Sequence, residues 1–214
     1  MFKLFSYLMT TTSWNQLADR AAIDQTIAHL KNNGINALVV ETGEDAKRNV
    51  LELIPEGAEV MNMTSVTLEA TGIAKEILES GRYSAVRHQL NGMDRKTQGL
   101  EMNKLGAAPE WTVGSVHAVT WDGHVLIASN TGSQLPAYAY GSAHVIWVVG
   151  VQKIVKDFDA ALKRIYEYVL PLEAERAHKA YGVPGSNVSK LLVINKEVNP
   201  SRLTLILVNE VLGF

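Results

Sequence analysis

Residues 145–149 read VIWVV, five apolar side chains in succession with no polar residue among them. A strand that keeps one face in water alternates polar with apolar. This run is therefore best buried on both faces, as in the middle of a parallel sheet covered by helices. Parallel neighbours cannot be joined by a tight hairpin; each pair needs a crossover, usually helical. The chain must then supply strand–helix–strand units, and most of it reads that way.

A helix is predicted over residues 14–32. Ser13 and Gln16 have capping-box spacing, Ile23, Ile27 and Leu30 line one side, and Asn33-Gly34 ends it. Residues 35–41 (INALVVE) read as a short apolar strand. Thr42-Gly43 then turns the chain into a helix whose first turn carries Glu44 and Asp45, favourable against its dipole. Ala46, Val50 and Leu53 give that helix its buried stripe, and Pro55 ends it. Residues 58–61 form the next strand, and Thr64-Ser65-Val66-Thr67 leads into a helical segment interrupted at Gly72 and closed by Ser80-Gly81. Residues 83–90 read as a strand. Residues 91–106, polar and carrying three glycines, read as a loop with one helical turn at most and as the place for a mobile or partner-facing segment. A helix capped by Asp157 spans 157–170 and is broken by Pro171. A second covers 172–181 and stops at Gly182. Strands at 191–194 and 203–208 flank a turn at Asn199-Pro200-Ser201. Strands alternating with helices through short polar turns make the fold class α/β, with a mainly parallel sheet.

Asp122-Gly123 lies between two β-rich runs, 116–121 and 124–128, and is the signature of a tight type I′ hairpin. No repeat or linker divides the 214 residues. One α/β domain is expected over 13–214, behind an N-terminal extension of residues 1–12. The apolar start, MFKLFSYLM, is too short to cross a bilayer and lacks a small-residue cleavage site after it, so it is read as an extension rather than a targeting segment.

Composition excludes several functions. Net charge is −2, so no basic excess points to nucleic acid or to an anionic membrane. Cysteine is absent, which removes thiolate nucleophiles, cysteine-ligated metals and disulfides, and suits a cytoplasmic protein. There is no GxGxxG, GxxxxGK[ST] or GxSxG pattern, so neither a dinucleotide site, a Walker loop nor a nucleophile elbow is expected, and no cofactor. The six histidines contain no HExxH. His117 and His124, seven apart across the hairpin, are the one pair placed to approach each other, and no metal site is expected.

Three polar turns are the candidate ligand site: Thr42 and Gly43; Thr64, Ser65 and Thr67; and Thr131, Gly132, Ser133 and Gln134. Ligands of open α/β sheets sit outside the carboxyl ends of the strands. Hydroxyls and free backbone N–H groups gathered there attract phosphate or carboxylate. The same residues equally suit helix caps and turns. Glu69, just after the second turn, is a candidate general base or acyl-accepting carboxylate, or simply a solvated first-turn acid. Arg87, Arg95, Lys96 and Lys153 are candidate anion contacts, or surface cations.

Ala118, Thr120, Asp122, Gly123, Thr131, Gly132, the 145–149 strand and Gly150-x-x-Lys153-Ile154-Val155, together with the SVTLEATGI segment at 65–73, resemble the LUD domain, the lactate-utilisation-protein-C-like family. The resemblance runs from about Trp14 to Phe214. It implies an αβα sandwich with a mainly parallel sheet, NagB/RpiA/CoA transferase-like, as in sugar-phosphate isomerases, glucosamine-phosphate deaminases and CoA transferases. It also implies a link to bacterial lactate oxidation beside iron–sulfur redox subunits. Two departures stand out. Ser133-Gln134 replaces the family's frequent Asn-Arg, and residues 174–190 lack the cysteine cluster of some relatives. The expected function is an accessory or small-anion-binding protein of organic-acid metabolism, with a small anionic metabolite and redox-complex subunits as partners and with self-association into a homodimer. The alternatives are an enzyme on a sugar-phosphate or acyl-CoA-type substrate, and a non-catalytic self-associating scaffold.

Overall fold

The computed structural model describes residues 14–214. The proposed extension, residues 1–12, and the proposed cap Ser13 lie outside the described residues. In chain order the elements are α1 (Arg20–Asn32), β1 (Asn36–Val40), α2 (Gly43–Leu53), β2 (Glu59–Asn62), α3 (Val66–Ala70), α4 (Ile73–Glu79), β3 (Ser84–Ala85), α5 (Val86–Asn91), α6 (Arg95–Ala107), β4 (Trp111–Gly114), β5 (Ala118–Thr120), β6 (Val125–Ser129), β7 (His144–Gly150), β8 (Ile154–Val155), α7 (Phe158–Lys163), α8 (Leu170–Tyr181), β9 (Lys190–Ile194) and β10 (Leu203–Val208).

Six strands form a sheet in the order β1-β10-β7-β4-β2-β3, every neighbouring pair parallel. The VIWVV run lies inside it, flanked by β10 and β4. Its side chains alternate between two cores. Val145, Trp147 and Val149 face α1 and a second sheet, while Ile146 and Val148 face α2, α3 and α4. β10 does the same, with Leu203, Leu205 and Leu207 on one side and Ile206 and Val208 on the other. Burial on both faces is why neither strand shows a polar alternation.

The second sheet, β8-β5-β6-β9, was not anticipated. The hairpin forms, with Ala118 opposite Leu126 and Val119 opposite Val125, but it belongs to this sheet and not to the parallel one. Val119, Val125 and Ile127 pack onto the main sheet with α1, and Ala118, Leu126 and Ala128 pack outward onto Ala161 of α7 and Ile165. The layers are therefore helices, parallel sheet, second sheet with α1, and helix. The strands at 191–194 and 203–208, adjacent in sequence, separate into the two sheets.

Other expectations are corrected. α1 begins at Arg20 rather than Trp14, because the Asp19 carboxylate accepts from the Ala22 N–H at 2.8 Å and sets the N-cap. The hairpin turn is not type I′. Within the turn only Gly123 has positive φ (82°), and among the described residues no non-glycine does. A loop closed by Thr120 N–H to His124 O at 2.9 Å spares Asp122 the left-handed region. Residues 83–90 give two strand residues and then α5. Residues 91–106 are largely α6, capped by Asp94. No residue of α6 is fully buried, so it carries no apolar stripe to betray it, although its residues are mostly good helix formers. Pro171 does not break the last long helix. It sits in the first turn of α8, directly after a π-helical segment, Arg164–Val169. The wider π turn gives the ring clearance from the preceding carbonyls.

Gly114 ends β4 where the Tyr138 hydroxyl packs against the backbone: a Cβ there would lie 1.7 Å from that oxygen and 2.9 Å from Cζ. Tyr138 is itself held edge-on to Trp147, ring centroids 5.5 Å apart. We expect Gly114→Ala to cost about 1–3 kcal/mol, as overpacking of a core does, read as a lowered urea midpoint.

Candidate functional site

From β2 the chain runs outward to β3, and from β4 it runs the other way, through the second sheet, to β7. Strand order reverses between β2 and β4, and a crevice opens beyond the carboxyl ends at such a point. Residues 63–67 follow β2 and residues 115–117 follow β4. Both segments line a cleft of about 1050 Å³. Ser129 to Gln134, at the end of β6, line it as well, with residues of α6, α8 and the 183–188 segment.

Lys153 lies at the floor. The chain leaves β7, makes one short turn at Val151–Lys153, and enters β8 of the other sheet. Lys153 is thus fastened between the two sheets, 2% exposed. Its Nζ donates to Thr67 Oγ1, Ser115 Oγ and the Val116 carbonyl, each at 3.2 Å. No carboxylate among the described residues is within ion-pair distance of it. Burial, and then the nearby Arg164 charge, push its ammonium down from the usual lysine range to about 7.

Two further groups extend this floor. His117 lines the cleft, and its Nδ1 accepts from the Ala128 N–H at 3.1 Å, which puts the ring proton on Nε2. Burial, then the charges of Lys153 and Arg164, hold the imidazole neutral, down to about 3. Arg164, fully buried in the π-helical segment, donates from one terminal nitrogen to the His117 carbonyl. Its Nε and second terminal nitrogen find no partner among the described residues, and its guanidinium lies 5.3 Å from the Tyr168 ring centroid. Burial pushes this guanidinium down as well, to about 10.

On the rim, Arg87 is half-buried. Its Nε and a terminal nitrogen hold the Asn62 carbonyl at 3.1 and 2.8 Å, and the Thr64 hydroxyl lies 3.3 Å away. Arg95, exposed on α6, lines the same cleft. Neither has an acidic partner among the described residues. Arg176, by contrast, is gripped by both oxygens of Glu173 at 2.7 Å.

Of the sequence candidates, Thr64, Ser65, Thr67, Thr131, Gly132, Ser133 and Gln134 come together in this cleft. Several are already engaged. Ser65 caps α3, Thr67 accepts from Lys153, and the Ser129 hydroxyl takes the Gly132 N–H and donates to Gln134. Thr42 and Gly43 stand at the carboxyl end of β1 but outside the cleft. Thr42 forms a capping box with Asp45, and the Gly43 N–H, which an anion would need, donates to Glu210 at 3.1 Å. Glu69 is exposed and does not line the cleft. Lys96 is exposed on α6 and also outside it. His124 is across the hairpin turn from Asp122, not beside His117. Among the described residues no group of three or more His, Asp or Glu is placed to hold a metal ion, and no helix is long and apolar enough to cross a membrane.

Ser115 and Arg164 were not singled out as site residues from the sequence, and His117 was weighed there only as half of a histidine pair with His124. Arg164 had a signal: it shares the helical face of Ala161 and Ile165, so a charge was bound to fall on an apolar stripe. Ser115 had none, since one serine after a strand is common.

The family model of the LUD domain matches residues 23–208. A search of curated proteins found no match. Among solved structures, a DUF162 family protein from Deinococcus radiodurans superposes with a TM-score of 0.57 at 11% sequence identity, over 91% of this chain and 100% of that one. At such identity the likeness is one of fold alone. The eIF2B beta structure from Chaetomium thermophilum aligns with a TM-score of 0.31 and 14% identity over 80% of this chain and 44% of that one, too low to carry an argument.

Proposed function

The chain belongs to the LUD domain family, and from that premise we propose that it binds a small organic anion in the cleft between its two sheets, in the service of lactate utilisation. The observation that carries this reading is a surplus of cations: Arg87 and Arg95 line one cleft with no carboxylate within ion-pair distance among the described residues. The sequence as a whole is slightly acidic, at −2. A desolvated cation without a partner is costly, and a bound carboxylate or phosphate offsets that cost. Arg87 is the group best placed to meet the anion, since its guanidinium is already oriented by Asn62 and Thr64.

Calorimetric titration with lactate, pyruvate, a hexose phosphate and acetyl-CoA tests this. Arg87→Ala is expected to weaken the best of them by about 10- to 100-fold, the effect of one charge-assisted contact. Failure of all four anions to bind ends the reading. Association with redox subunits belongs to the same proposal, and co-purification from native cells tests it.

A second reading is favoured by the volume of the cleft, about 1050 Å³. A three-carbon acid fills little of such a space, whereas pockets of several hundred Å³ and more suit larger ligands. An acyl-CoA-type substrate would use the length of the cleft.

A further inference from the structure

We propose that Ser115 and Lys153 form a serine–lysine pair in which Ser115 attacks an activated acyl group, an ester or thioester with an anionic body, and becomes acylated. The proposal rests on the reading of the cleft as an anion site and assigns a reaction to it.

The geometry comes first. Lys153 Nζ lies 3.2 Å from Ser115 Oγ, within the reach required of a general base. Lys153 is 2% exposed and Ser115 is half-buried, and both line the cleft. Tyr138 holds the backbone around Ser115: its hydroxyl packs against Gly114 and lies 3.5 Å from the Ser115 carbonyl, to which it donates. Nothing anionic among the described residues holds Lys153 as an ammonium ion. Burial drives it towards the free amine. A lysine so placed activates a serine as histidine does elsewhere. His117 lines the same cleft, and its Nε2–H has no protein partner among the described residues.

With Lys153 as the amine, the Ser115 O–H donates to Nζ. Oγ attacks the acyl carbon, forming the new C–O bond, and its proton passes to Nζ. Collapse of the tetrahedral adduct breaks the bond to the thiolate or alkoxide, which takes that proton from Lys153 as it leaves. Water then attacks the acyl-serine ester. Lys153 accepts one water proton and returns it to Ser115 Oγ, releasing the carboxylic acid. No oxidant or other co-reactant is needed.

The test uses the full chain with p-nitrophenyl acetate and acetyl-CoA. A burst of nitrophenol approaching one per chain is expected, with the acetyl increment on the Ser115 peptide by mass spectrometry. Ser115→Ala should abolish both, and Ser115→Cys should retain them. Lys153→Met should slow acylation by about 10²- to 10⁴-fold, the usual worth of a general base. The wild-type rate should rise as pH passes through about 7. Unchanged far-UV circular dichroism of each variant separates chemistry from misfolding. Acetyl found on Lys153 instead of Ser115, or a burst that survives Ser115→Ala, overturns the proposal. Acetyl-CoA that binds through Arg87 without acylating the chain overturns the proposal but leaves anion binding standing. Acylation by acetyl-CoA without any Arg87-dependent binding supports the pair and overturns the anion reading.

Discussion

Raising the pH from about 7 towards 10 is expected to stabilise the wild-type protein, and Lys153→Met is expected to remove that gain. In the unfolded chain lysine keeps its proton up to about 10.5, whereas the folded Lys153 releases it near 7. Between those values the unfolded state binds more protons, so stability rises with pH there. Below about 7 both states are protonated and the contribution to the slope disappears. If the whole difference were expressed it would amount to about 5 kcal/mol across the window, an upper bound, because the site relaxes and admits water. Urea midpoints measured across the window for both proteins give the answer. The variant should also be more stable than the wild type at the acid end, since it no longer buries a charge without a carboxylate. Parallel pH profiles for the two proteins would mean that Lys153 is well solvated, and would remove the physical basis of its role as a base.

The second large effect concerns a buried cation of the opposite kind. Arg202 is 8% exposed, and all three of its guanidinium nitrogens are engaged. Its Nε donates to the Ser142 carbonyl at 2.9 Å, one terminal nitrogen to the Ala137 and Tyr138 carbonyls at 2.9 and 2.8 Å, and the other to Glu197 at 2.8 Å. It thereby clamps the π-helical turn at Ala137–Gly141, which carries Tyr138 onto Trp147. Arg202→Ala leaves Glu197 nearly buried without its cation and strips three carbonyls of a donor. A loss of about 3–5 kcal/mol is expected, read by chemical denaturation. Arg202→Ala with Glu197→Gln should recover part of it, because the unpaired carboxylate is then gone. A loss below about 1 kcal/mol would mean that water replaces the guanidinium freely.

The contrast between these two cations explains what the residues alone could disclose. Both are single basic residues near apolar strands, and nothing in their neighbours along the chain distinguishes them. Arg202 finds Glu197 five residues away and three carbonyls from another element, so it is structural. Lys153 finds hydroxyls, a carbonyl and a cleft, so it is poised for chemistry. Partners 38 to 86 residues distant, Ser115 and Thr67, make the difference.

Local patterning by itself determined much of the framework: the doubly buried strand at 145–149, the parallel crossovers, the start of α2 after Thr42 with Glu44 and Asp45 in its first turn, and the polar turns after β2 and β6. These follow from side-chain periodicity and turn chemistry, which act over a few residues. Folding in three dimensions decided the rest. It placed the hairpin in a second sheet, made a continuous helix of 158–181 despite Pro171, and gathered Thr64 to Thr67, Ser115 and Lys153 into one cleft while leaving Thr42, Gly43 and Glu69 outside. Strand order is set by which apolar faces can be buried together, and that competition spans the whole chain, so no stretch of sequence encodes it alone.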